Sequence, residues 1–208
     1  MSEAVALRFA GQSWPRMTAN QVSERLSGLP RPGLLRARRE TALIRDAQRG
    51  SSEALEELFH RHWRRAHRAA YLVVADASAA EDIAQESFLA AIRALDRFDR
   101  RRPFGPWLHR ITVNRAIDHA RARALRRESA LSPASEPAAP DPDAISDQVL
   151  AALAALPPEH RAVVVLRYLL EYTPGEIAEM LGLPRGTVNS RLRRGLDRLR
   201  PAVEEDAR

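Results

Sequence analysis

Residues 173–200, TPGEIAEMLGLPRGTVNSRLRRGLDRLR, leave the backbone few choices. Thr173 suits an N-cap, Pro174 suits the first helical position, and Glu176 completes a Thr-x-x-Glu capping box. Gly182 follows, where a left-handed residue ends a helix at little cost to glycine. Ile177 and Leu181 point inward from this first helix, and Val188, Leu192, Leu196 and Leu199 recur at helical spacing on the next. The pattern predicts a helix, a tight turn and a second helix. With the core face fixed, the other side of the second helix presents Thr187, Ser190, Arg193 and Arg194, with Arg191 and Arg198 on its flank and Arg185 at its start. A short helix pair with a cationic outer face has the shape that enters a DNA major groove. A solvated arginine face over a core helix would explain the charge. It would not explain why cap, glycine, turn and basic face agree.

The rest of the 208 residues is equally helical in character: alanine, leucine and arginine abound and aromatics are few, so the expected fold class is all-α. Net charge of +6 and a pI near 10.9 favour an anionic partner. Every basic side chain except histidine is arginine, which suits bidentate contacts to phosphate and guanine, although codon bias would produce the same absence of lysine. The chain has no cysteine, which excludes disulfides and thiolate zinc sites and fits a reducing cytoplasm. No apolar run approaches the ~20 residues of a membrane span, so no membrane insertion is expected.

Residues 1–33, broken by prolines and glycines, read as a weakly ordered extension in which 18–29 could form a short helix. Order is expected from Leu34, with one helix stopped by Gly50 and a longer one capped by Ser51 or Ser52. His60 and His62 lie two apart and face different ways, which argues against a metal site. A Ser78-x-x-Glu81 capping box then opens a helix whose inward stripe is Ala84, Phe88, Ala91, Ile92 and Leu95. Asp82, Gln85, Glu86 and Leu89 cluster on its opposite face. Asp82 and Glu86 repel at that spacing by ~0.2–0.5 kcal/mol, and Leu89 beside them does not favour solubility. A docking face for a basic partner explains this better than a solvated face, or a catalytic carboxylate pair lacking other ligands.

Residues 98–106, FDRRRPFGP, are predicted to form a loop, with Pro106 starting a helix in which Val113, Ile117, Ala120 and Ala124 face inward. Between Arg100 and Arg127 nine arginines face one acid, Asp118. Arg100, Arg101, Arg102 and Arg110, interleaved with Phe104 and Trp107, suit single-stranded nucleic acid: guanidinium groups track the backbone while rings stack on bases. Core packing is an equally good reading of Trp107. Asn114, Asp118 and Arg121 fall on a flanking face.

Residues 128–144 carry four prolines, four acids and no arginine. They read as a flexible Pro/Ala-rich acidic linker, long enough to span on the order of 50 Å, between two domains that need not touch. The expected division is an extension over 1–33, one helical domain over 34–127, the linker over 128–144 and a second helical domain over 145–204. In the second domain, helices over 145–156 and 159–170 precede the helix-turn-helix, and 201–208 fray.

Three segments in order resemble the bacterial sigma-70 family, closest to its two-domain extracytoplasmic-function (ECF) type: AEDIAQESFLAAI at 80–92, FDRRRPFGPWLHRITVNRAIDHAR at 98–121, and the stretch from Leu156 to Arg200. The resemblance implies a promoter-specificity subunit of RNA polymerase, with no catalytic residues, metal or cofactor of its own. It implies that Asp82, Gln85, Glu86 and Leu89 dock on the polymerase clamp helices. It places Arg100, Arg101, Arg102, Phe104, Trp107, Arg110, Asn114, Asp118 and Arg121 at the −10 element and its melted non-template strand. Arg185, Gly186, Thr187, Asn189, Ser190, Arg191, Arg193, Arg194 and Arg198 would read the −35 duplex. It further implies contact with the flap tip, a linker threading toward the RNA exit channel, and control by an anti-sigma factor. Ile92 stands where the family often has tryptophan, and residues 1–33 have no assigned counterpart. A DNA-binding regulator acting without polymerase would leave Asp82–Leu89 unexplained. A metal nuclease would lack ligands beyond one helix.

Overall fold

Four helices begin where the side chain of Ser51, Asp76, Ser146 or Thr173 accepts a free backbone N–H of the first turn. The computed structural model describes residues 34–129 and 146–206, and within them eight α-helices. The expected extension and most of the expected linker lie outside the described residues. Helix α1 (Leu34–Gln48) stops at Gly50, whose φ of 91° only glycine adopts readily. Ser51 Oγ accepts from the Ala54 N–H and starts α2 (Ser52–Val74). That helix ends on Ala75 in the left-handed region, with its N–H donating to Tyr71 C=O.

Asp76, not Ser78, caps α3 (Ala77–Ala94), accepting from Ala79 N–H at 3.0 Å. Asp is as good an N-cap as Ser and comes first, so Ser78 is already helical. A 3₁₀ turn (Leu95–Arg97) leads to α4 (Phe104–Ser129), which starts two residues before Pro106. The first-turn N–H groups have no helical partner, so Gly105 and Pro106 fit there at little cost. Helix α4 also continues through Glu128 and Ser129, which the sequence assigned to the linker.

In the second half, Ser146 caps α5 (Asp147–Ala154), shorter at both ends than expected, and Pro157 and Pro158 lead into α6 (Pro158–Tyr168). The helix-turn-helix follows as α7 (Pro174–Leu181) and α8 (Arg185–Asp206). Helix α8 runs through Pro201 instead of fraying there, since the missing N–H removes one bond near the end of an established helix.

Two apolar cores result. Ile44, Leu58, Phe88, Leu95, Phe98, Phe104 and Leu108 join α1 to α4. The other includes Val73, Val113 and Ile117 from the first half with Val163, Leu166, Ile177 and Val188 from the second. The two halves therefore touch, contrary to the expectation of domains that can stand apart. Helix α6 packs on α2 and α4, α7 on α4, and α5 on α2. Each fully buried leucine or valine contributes about 1.5–3 kcal/mol, so a shared core outweighs the freedom a long connection would allow. Ile92, assigned to the inward stripe of α3, is 44% exposed, and Ala124 also faces solvent.

Candidate nucleic-acid and polymerase interfaces

The helix-turn-helix is held as its sequence dictates. Thr173 Oγ accepts from the Glu176 N–H at 3.3 Å, and Glu176 Oε2 accepts from the Thr173 N–H at 2.8 Å. Gly182 closes α7 at φ 64°. Leu183 N–H then donates to Ala178 C=O and Thr187 N–H to Pro184 C=O, setting the turn. Val188, Leu192 and Leu199 are buried, which rotates Arg185, Gly186, Arg193, Arg194 and Arg198 into solvent. Thr187, Asn189, Ser190 and Arg191 are half-buried at the edges, and Ser190 Oγ donates to the Thr187 carbonyl. His160 lies under this helix. Burial and then the positive charges of Arg191, Arg194 and Arg198 lower its pKa, so the imidazole stays neutral beside a strongly cationic face.

Helix α4 carries a second stripe. At 100° per residue Trp107, Arg110, Asn114, Asp118 and Arg121 fall on one side. Arg110, Asp118 and Arg121 are exposed and Asn114 is half-buried, while Arg100, Arg101 and Arg102 are exposed on the preceding loop. Asp99 holds Arg101 through two hydrogen bonds at 3.0 and 3.3 Å, and this pairing keeps the carboxyl below its ordinary range. Phe104 is a correction: it is 3% exposed, packed against Phe98 and Trp107 with ring centroids 6.0 and 5.5 Å away. A buried first-turn phenylalanine anchors the loop and cannot stack on a base. Trp107, half-buried and 4.5 Å from the Phe98 ring, keeps one edge outward and so serves both readings.

Helix α3 presents the third surface. Asp82, Gln85, Glu86 and Leu89 are all exposed, Leu89 by 51%. Ile92 extends the apolar part of this face by one turn. Glu86 reaches Arg115 of α4 at 3.9 Å, and an open groove of about 610 Å³ joins Asp82 and Glu86 to Asp118, His119 and Arg123. Asp76 anchors that groove, pairing with Arg123 at 3.1 Å while capping α3.

The sequence reading missed residues at the junction of the halves. Arg161, 7% exposed, donates to Val73 C=O at 2.7 Å, to Leu156 C=O at 2.9 Å and to Ala154 C=O. Burial, then Arg123, lowers its pKa to about 10, so the guanidinium stays charged with only carbonyl acceptors around it. His109 Nδ1 meets the Tyr172 hydroxyl at 2.7 Å, and Arg121 Nε donates to Glu159 Oε1 at 2.6 Å. Burial pushes the Glu159 carboxyl up, but its own backbone N–H and Arg121 outweigh this and hold it below its usual range. A signal existed for Arg161: at helical spacing it shares a face of PEHRAVVVLRY with Val164, Val165 and Tyr168, which turns its charge toward the apolar side.

Among the described residues no group of His, Cys, Asp and Glu could hold a metal ion, and no helix is long and apolar enough to cross a membrane. Two family models match: sigma-70 region 2 over residues 58–126, and sigma-70 region 4 over 146–199. The ECF RNA polymerase sigma factor SigW of Bacillus subtilis is 32% identical over 179 residues, 78% of this chain and 95% of that protein. CarQ, an RNA polymerase sigma factor of Myxococcus xanthus, is 33% identical over 162 residues, covering 75% and 92%. Among solved structures, CnrH in complex with the cytosolic domain of CnrY matches with a TM-score of 0.59 at 30% identity, covering 80% of this chain and 98% of that one. The sigma factor RpoE of Bartonella quintana, solved with the anti-sigma factor NepR, has the same fold with a TM-score of 0.62 at 20% identity, covering 72% and 96%. The stripes on α3, α4 and α8 thus lie in a chain that belongs to the ECF type of the sigma-70 family, the non-catalytic subunits that direct RNA polymerase to promoters for transcription initiation.

Proposed function

We propose that the three surfaces divide the work of initiation. The exposed face of α8, from Arg185 to Arg198, reads the −35 element as duplex. The loop arginines Arg100, Arg101 and Arg102, with Trp107, Arg110, Asn114, Asp118 and Arg121, capture the −10 element as its non-template strand separates. Phe104 supports this surface from inside. Asp82, Gln85, Glu86, Leu89 and Ile92 dock on the clamp helices of core polymerase, and the apolar second module grips the flap tip. On this reading 34–127 is the polymerase and −10 unit and 145–204 the −35 unit, working in the cytoplasm.

The observation that carries the reading is the separation of two cationic stripes, on α4 and α8, from one acidic and apolar stripe on α3. Two such stripes suit two nucleic-acid contacts, and the third suits a protein bearing positive charge. Capture of unstacked bases offsets the few kcal/mol of unstacking. Because CnrH and RpoE were each solved with a protein partner, we infer that an anti-sigma factor masks this chain too. Transcription by core polymerase on a genomic promoter library, read by sequencing, tests the assignment. Selective start sites are expected only when the chain is added, and starts no more selective than with core polymerase alone refute it.

A further inference from the structure

His160 stands in the first turn of α6, outside the helix-turn-helix, and meets α8 side-on. A Cβ placed on Gly195 would lie 3.8 Å from the His160 carbonyl oxygen, so the two helices close up here. Arg191, Gly195 and Arg198 fall at i, i+4 and i+7 on one flank of α8, which sets a guanidinium about one turn to each side of this contact. Arg194, next to Gly195, is exposed. The carboxylates close by are already engaged: Asp197 pairs with Arg200, and Glu159 with Arg121 of α4. Among the described residues no carboxylate pairs with Arg191, Arg194 or Arg198. Three like charges on one edge of a helix repel one another and favour an anion beside them. Packing alone does not explain a histidine among them. The His160 Nδ1 is enclosed without a partner, while Nε2 is not enclosed. A hydrogen on Nδ1 would lack an acceptor, so the neutral ring carries its hydrogen on Nε2, on the open side.

A helix lying in a major groove has a phosphate strand along each flank, and contacts to those strands position the protein without reading bases. The flank of α8 that carries Arg191, Gly195 and Arg198 is the α6 side. We propose that His160 Nε2 donates to a backbone phosphate on that side, between Arg191 and Arg198, and so fixes the register of α8 on duplex DNA. The proposal rests on α8 reading the −35 element, and adds a contact from outside the helix-turn-helix. It also carries a pH dependence. In the free chain burial, then Arg191, Arg194 and Arg198, lowers the His160 pKa against the opposing pull of Glu159, and the ring is neutral. A phosphate offsets the arginine field, so the pKa is higher in the bound state. The extra affinity is therefore full at low pH and fades as pH rises through the bound-state pKa.

The test uses the full chain bound to core polymerase and a dye-labelled promoter duplex in two versions, one intact and one with the −35 element scrambled. Affinity is read by anisotropy for the unsubstituted chain, His160→Ala and His160→Gln, and circular dichroism checks that both variants keep their helices. His160→Ala removes the donor and should weaken binding by about threefold to tenfold, by the same factor on both duplexes. His160→Gln keeps a donor but cannot gain a proton. At pH 8 it should bind within about twofold of the unsubstituted chain, and from pH 8 to 6 the unsubstituted chain should tighten about threefold relative to it. A residue that only packs under α8 would not produce that difference in pH profile. His160→Ala without effect, a loss confined to the intact duplex, or a glutamine variant that follows the unsubstituted chain across pH overturns the phosphate contact. Equal binding of the two duplexes by the unsubstituted chain would refute the −35 reading, while the two His160 comparisons would still decide the phosphate contact.

Discussion

The Nδ1 atom of His109 and the hydroxyl of Tyr172 lie 2.7 Å apart although 63 residues separate them in sequence. Burial, followed by the positive charges of His62 and Arg65, lowers the His109 pKa to about 3, and its Nε2 is enclosed without a partner. Burial also pushes the Tyr172 phenol up. Both groups are therefore neutral near pH 7, and the contact is a neutral, part-buried hydrogen bond. His62, on the same side, pairs with Glu40 of α1 at 2.7 Å, so three helices and the second half converge on this point.

Acidification should loosen the protein. An exposed His109 titrates near 6.5, and the enclosed one near 3. The stabilisation from keeping it neutral is complete above pH 6.5 and is lost progressively as pH falls toward about 3. At pH 5 the loss is roughly 2 kcal/mol, from 1.36 kcal/mol per pH unit. Urea midpoints measured from pH 7.5 to 5 should fall, and His109→Gln should flatten that dependence between 6.5 and 5.

Phe104 and Arg102 should separate folding from strand capture. Phe104→Ala removes a ring that is 3% exposed and should cost about 3–5 kcal/mol in thermal or urea unfolding. Arg102→Ala, on an exposed loop residue, should leave the melting temperature within a degree or two. It should nonetheless weaken binding of a −10 non-template oligonucleotide by the polymerase complex.

Arg191 and Arg194 should be needed for the −35 duplex and dispensable for polymerase. Each good bidentate base contact contributes about 1–3 kcal/mol of discrimination, so the double alanine variant should abolish initiation at a −35-dependent promoter. Co-purification with core polymerase should survive. Loss of polymerase binding would instead move the docking surface onto α8.

Asp82→Arg with Glu86→Arg should weaken polymerase binding and leave the fold intact, since both side chains are exposed. Circular dichroism and a pull-down with core polymerase read the two effects. Leu89→Ser with Ile92→Ser should weaken the same contact without changing charge.

At Gly195 α8 lies close against α6. A Cβ there would stand 2.8 Å from Val164 Cγ2, and Val164 is buried. Overpacking of this kind costs about 1–3 kcal/mol, against about 0.5–1 kcal/mol gained in helix propensity. Gly195→Ala should therefore lower stability by about 1 kcal/mol and Gly195→Val by more, measured by urea unfolding.

Local rules carried the sequence reading furthest. Thr173, Glu176 and Gly182 set the helix-turn-helix because caps depend on a few adjacent residues, and the exposed faces of α3, α4 and α8 followed from periodicity. Errors arose where two local signals compete, as with Asp76 and Ser78. They also arose where the decisive contact is remote. Phe104 looked like a stacking ring in a basic loop because nothing nearby in sequence announces Phe98 and Leu108 as its neighbours. The union of the halves through Val73, Arg161 and Tyr172 involves separations of up to 88 residues, which no spacing rule reaches.

Arg161 meets oxygen atoms that bear no formal charge. Withdrawing it strands no anion in an apolar interior, and the carbonyls it leaves can hydrate at once. Dissolved salt has little purchase on such a contact, whereas it competes directly for the guanidinium groups that neutralise phosphate. Ionic strength therefore acts unevenly on this molecule, eroding its hold on DNA well before it erodes the embrace between its own halves.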